Sequence, residues 1–251
     1  MSSATEPLLP SSTTSETNEQ SSTTPTPTLG PLTMVQKENL STQSLGVQIP
    51  ALLFVAIVWS LVLTTMSFTS LPLFGYHPLI QSLAILMLLQ AIIVLQRTTP
   101  TNQQEKKAAF QTHQIINLLL VLPLFTVGAS IMYYLHDQPG TSHWISYHGI
   151  LGTLCVSVAW IQAALGAASV WCKGKLVGGE NKGKALWKYH RLSGYVLVGL
   201  FLLTAALGVV ETTWGQKNSG TIQRWTVVLA LAGSTAALLA RVQRSKLPKL
   251  R

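Results

Sequence analysis

Charged side chains are scarce in this chain. They make up 10% of its 251 residues, against roughly 25% in an average soluble domain. That shortage excludes an ordinary water-soluble globule. The hydrophobic content of 48% excludes a mainly disordered chain, which combines high charge with low hydrophobicity. Acids are scarcest, with 8 Asp and Glu against 17 Lys and Arg and a net charge of +9. A basic balance often marks nucleic-acid binding, but such domains present a polar face. The apolar bulk here points to a lipid bilayer and to no nucleic acid. Cysteine is nearly absent. Cys155 and Cys172 stand in no metal-ligand spacing, and no disulfide framework is implied.

Residues 1–45 differ from the rest. They hold 19 Ser and Thr, five Pro, four acids and one base. Such a segment buries too little apolar surface to offset its ordering entropy, which predicts a disordered tail. It lacks the positive and apolar regions of a secretory signal. Without its charge of −3, residues 46–251 carry +12. The membrane part is therefore the basic part.

No Asp, Glu, Lys or Arg occurs from Asn39 to Gln96, Ala108 to His136, Gln138 to Cys172, Leu192 to Val210, or Trp225 to Ala240. A spanning helix needs about 20 apolar residues. The first run fits two spans with a turn near Pro72 and Gly75, and the others fit one each. The sequence thus predicts an all-α membrane protein with six spans near 50–70, 77–97, 112–135, 144–171, 189–211 and 222–242. The membrane domain is 46–243, followed by a basic tail at 244–251. Lys and Arg crowd the second-to-third connection, the fourth-to-fifth connection and the C-terminus. The positive-inside rule then places both termini in the cytosol.

Four of the six histidines open predicted spans: His77, His113, His148 and His190, on spans two to five. Consecutive spans start on opposite faces. His77 and His148 therefore form a non-cytosolic layer, and His113 and His190 a cytosolic one, roughly 15–20 Å apart. Ionisable residues at membrane depth are functional candidates. Two neutral imidazoles on facing helices suit the axial positions of a haem iron. Two layers would hold two haem b groups within a bundle of spans two to five. Gly152, Ser193 and Gly194 share a helix face with a histidine and would clear space for a porphyrin, and Asn117 stands four residues after His113. The competing reading is four interfacial hydrogen-bonding histidines in a haem-free six-helix transporter or scaffold.

At these residues the sequence resembles the cytochrome b561 family of six-helix, two-haem membrane proteins. His77-Pro78 resembles the opening of the family's second helix. Ser146-Tyr147-His148-Gly149-Ile150-Leu151-Gly152 resembles the Ser-x-His-x-x-x-Gly element of the fourth, and His190-Arg191-Leu192-Ser193-Gly194 the His-x-x-Ser-Gly element of the fifth. The resemblance implies the ligand pairs His77 with His148 and His113 with His190. It implies a transmembrane oxidoreductase taking electrons from cytosolic ascorbate to monodehydroascorbate or ferric iron. It also implies a homodimer.

An anionic donor needs cations near the cytosolic layer. Lys106, Lys107, Lys184, Lys188 and Arg191 are the candidates, with Lys182 beside them. Ascorbate-using members of the family place Lys three residues before the third-helix histidine and Arg seven before the fifth-helix histidine. Here those positions are Phe110 and Gly183, which leaves Lys107 and Lys184 as displaced substitutes. On the opposite face, His136 resembles a loop histidine that contacts substrate in the family, and His143 follows seven residues later.

Overall fold

The computed structural model describes residues 30–39, 41–96, 98, 102–243 and 247–248. Helices account for nearly all of these, and no strand occurs among them. They are α1 (Pro31–Asn39), α2 (Thr42–Thr65), α3 (Leu73–Ile93), α4 (Gln103–Ile116), α5 (Leu122–His136), α6 (Tyr147–Val170), α7 (Glu180–Val210), α8 (Thr213–Asn218) and α9 (Thr221–Arg241). A π turn at Asn117–Val121 joins α4 to α5 into one rod of 34 residues. Pro123, in the first turn of α5, has no N–H to return to the preceding turn, a common cause of a widened turn.

Six of these helices are long and apolar enough to cross a membrane. Their number agrees with the charge-free runs. The ends differ: the first, third and fifth spans begin at Thr42, Gln103 and Glu180, eight or more residues before the expected starts. A charge-free run measures hydrocarbon thickness, whereas a helix keeps its backbone hydrogen bonds into the polar region. Side-chain caps fix the starts of the first, third and fourth spans. Ser41 Oγ accepts from Ser44 N–H at 3.2 Å, Asn102 Oδ1 from Glu105 N–H at 3.0 Å, and Ser146 Oγ from Gly149 N–H at 3.0 Å.

The expected disordered segment 1–45 needs correction over its last third. Residues 31–39 are α1, and α2 begins at Thr42. Met34 is 1% exposed against Ala108, Ala109 and Leu95, and Lys37 Nζ pairs with Glu105 Oε1 at 2.8 Å. Composition counts the segment's polar residues but cannot see the partner that buries its apolar ones. Residues 1–29 and most of 244–251 lie outside the described residues.

α6 packs chiefly on α7, α3 on α5, and α2 on both α9 and α3. One apolar core runs through these contacts, with Phe54, Leu89, Phe125, Leu197, Phe201 and Leu231 buried in it. Phe125 and Phe201 stack with ring centroids 4.1 Å apart. Large apolar residues such as Leu119, Ile161 and Leu229 face outward, as lipid contact requires.

Candidate functional site

The four span histidines occupy two ends of the structure, and each is half-buried. His77 sits in the second turn of α3, just before Pro78, and His148 is the second residue of α6. Their rings face each other with centroids 6.0 Å apart and planes at 88°. His77 Nδ1 bonds Gly128 O on α5 at 2.8 Å, and His148 Nδ1 bonds Thr204 O on α7 at 2.8 Å. A carbonyl only accepts, so each Nδ1 carries the proton and each Nε2 keeps a lone pair for a metal. Two imidazole–metal bonds of about 2 Å, with about 1 Å from each nitrogen to its ring centre, put two centroids about 6 Å apart. The observed spacing fits one iron between the rings.

At the other end, His113 Nδ1 bonds Ala91 O on α3 at 2.9 Å. Asn117 Nδ2 donates to the His113 backbone oxygen at 2.7 Å, so this amide steadies the turn that carries the ring. His190 stands within electrostatic range of His113. Gln162 on α6 holds His190 through its backbone oxygen at 2.5 Å, and Gln162 Oε1 accepts from Ser193 Oγ at 3.0 Å. Among the described residues His190 Nδ1 is buried without a hydrogen-bond partner, unlike the other three.

Three of the four histidine-bearing spans serve both ends. Fourteen residues separate His77 from Ala91, fifteen separate His113 from Gly128, and fourteen separate His190 from Thr204. At 1.5 Å per residue the two layers stand about 21 Å apart, just beyond the expected range. Each of these three carries a histidine at one layer and gives a supporting carbonyl at the other.

The space beside the rings comes from glycines that the sequence reading missed. A Cβ at Gly166 would lie 2.9 Å from His190 Cε1, and one at Gly208 would lie 3.0 Å from His148 Cε1. Both glycines sit on the facing helix. By contrast, a Cβ on Gly152 or Gly194 would meet Thr204 or Gln162, so these two serve helix packing. A signal was present: Gly166 follows His148 by 18 residues, and Gly208 follows His190 by 18. Eighteen residues are five full turns. On two antiparallel helices that interval sets each glycine opposite the other's histidine.

The remaining expected residues fall at the two ends. His136 and His143 come together beyond the His77 end, with ring centroids 6.1 Å apart. His136 Nδ1 bonds Ser142 O at 2.7 Å, His143 stacks on Tyr133 at 4.8 Å, and His143 Nε2 lies 3.8 Å from Asp137. Lys106 and Lys107 are exposed on the first turns of α4. Lys184 pairs with Glu180 at 2.5 Å, and Lys188 Nζ lies 5.2 Å from the Tyr189 ring centre. Arg191 is half-buried next to His190. Gly183 is closed to any side chain, because a Cβ there would lie 2.6 Å from Ser169 O. Among the described residues no three or more His, Cys, Asp or Glu gather as a metal site would need. The donors come in pairs, which suits a macrocycle that brings four of the six ligands itself.

Known proteins align with this arrangement. The family profile of eukaryotic cytochrome b561 matches residues 76–216, more than half of the chain and all four span histidines. The chain is 23% identical over 167 residues to transmembrane ascorbate ferrireductase 2 of Arabidopsis thaliana, covering 66% of this chain and 70% of that protein. With six membrane-length helices and a profile match over this extent, the chain is a multi-pass membrane protein belonging to the eukaryotic cytochrome b561 family, which binds haem.

Proposed function

We propose that the protein is a transmembrane oxidoreductase that carries single electrons across the bilayer through two haem b groups. His77 and His148 would hold one haem iron, and His113 and His190 the other. The observation that carries this reading is the facing pair His77 and His148, 6.0 Å apart with both Nδ1 atoms tied to carbonyls. A bis-histidine haem b, when bound, supplies reversible one-electron chemistry at an iron without an open position. The chain's own residues hold the imidazoles of His77, His113 and His148 in one tautomer and leave glycine-sized gaps beside His148 and His190. Phe125 and Phe201 pack the interior between the layers.

The donor would arrive at the cytosolic, basic end, where Lys106, Lys107, Lys184, Lys188 and Arg191 stand. The relative's name supports ascorbate as donor and ferric iron as acceptor, and monodehydroascorbate is the other acceptor the family resemblance implies. Because Gly183 admits no side chain, the chain would meet ascorbate with a different set of cations. His136 and His143 would contact the acceptor on the far side. Residues 46–243 form the membrane domain, with α1 docked against its basic end.

Membranes from cells expressing the full chain should show the reduced-minus-oxidised spectrum of six-coordinate haem b, at about two haems per chain. Membranes with no added haem absorbance would overturn the reading and leave a haem-free transporter or scaffold.

A further inference from the structure

Glu211 has no part in the function above, yet its carboxylate bonds the backbone that carries one of the span histidines. It caps the C-terminal end of α7, where the helix dipole disfavours a negative charge. Its carboxylate turns to the start of α6 instead. Oε1 accepts from the Tyr147 backbone N–H at 3.1 Å, and Oε2 from that of His148 at 3.2 Å. These are two of the N–H groups that a helix start leaves without intrahelical partners, and the positive end of the α6 dipole favours the charge.

The grip on His148 comes from one stripe of α7. Thr204, Gly208 and Glu211 follow one another at intervals of four and three, which places them on one helix face. Thr204 O accepts from the Nδ1–H, Gly208 leaves room for the ring, and Glu211 accepts from the backbone N–H that carries it. Among the described residues no hydrogen bond joins His77 to a carboxylate, and His190 has Arg191 as its chain neighbour.

We propose that Glu211 is a positioning residue for the His77–His148 centre, a proposal that rests on the haem reading above. It locks the turn carrying His148, and it sets a fixed negative charge beside that centre, which favours the ferric over the ferrous state.

The test uses the full chain with Glu211→Gln, which removes the charge at nearly constant shape, and Glu211→Ala, which removes the cap. Potentiometric titration of Glu211→Gln should show one haem shifted to higher potential and the other unchanged. The low-spin ferric electron paramagnetic resonance signal of the shifted haem should move with it. Hydrogen exchange on haem-depleted protein should show the Tyr147 and His148 amides unprotected in Glu211→Ala. Unchanged potentials and resonance in Glu211→Gln would overturn the proposal. So would equal loss of both haems in both variants, which is the behaviour of a cap serving stability alone. Wild-type protein without haem would instead sink the oxidoreductase reading, and the proposal with it, whatever the exchange data show.

Discussion

His148→Ala and His77→Ala should each remove one haem and leave the other, as read by pyridine haemochrome content and by low-spin resonance signals. Loss of the same single haem in His113→Ala and His148→Ala would contradict the pairing. The glycines give a graded test. A Cβ at position 166 or 208 would lie 2.9 or 3.0 Å from an imidazole carbon, and of these two rings only that of His190 has no Nδ1 bond among the described residues to hold it. Gly166→Ala should therefore perturb its haem spectrum more than Gly208→Ala. Overpacking of this kind costs about 1–3 kcal/mol, measurable as a lowered thermal midpoint. Gly183→Arg, which would restore the cation of the ascorbate-using relatives, should fail to accumulate, because the new side chain meets the Ser169 backbone rather than a movable side chain. Three of the histidines were legible in the sequence because each is a rare polar group in a charge-free run, and His190 because it stands just ahead of one. Glu211 was not legible as their partner. It lies 63 residues from His148, and only the antiparallel return of α7 brings the two together.

At the scale of elements, the six long helices could be read from apolar length, and their ends could not. Length in hydrocarbon reports a solvent transfer, while a helix end is decided by a cap such as Ser41 or Asn102 and by the turns that continue into water. α1 is the clearest case. Its residues lie within a Ser- and Thr-rich stretch, and it is ordered by Met34 and Lys37 against α4. Met34→Ala should weaken that docking by about 2 kcal/mol. Amide exchange over residues 31–39 should then accelerate about 30-fold, since 1.4 kcal/mol is a factor of ten, while the membrane helices stay protected. Equal exchange in wild type and variant would show that α1 gains nothing from the contact.

At the scale of the molecule, charge distribution makes the firmest prediction. The basic residues at the His113 end should face the cytosol, so the Asn39-Leu40-Ser41 sequon should stay unglycosylated in a eukaryotic cell. Glycosylation there, seen as an endoglycosidase-sensitive mobility shift, would invert the topology. Stopped-flow mixing should show ascorbate reducing the purified protein more slowly than a ferric chelate reoxidises it, because Phe110 and Gly183 replace the family's two cations. Fast reduction by ascorbate would show that Lys107 and Lys184 substitute fully.

The sequence by itself determined the solvent of this protein, the number of its crossings and the four polar groups worth placing inside them. These follow from transfer free energy, which depends on residue type and run length alone. Tertiary structure decided which carbonyls accept from the imidazoles of His77, His113 and His148, which glycines clear the rings of His148 and His190 and which acid steadies the start of α6. Those choices depend on contacts between helices distant in the chain, and only packing sets their register.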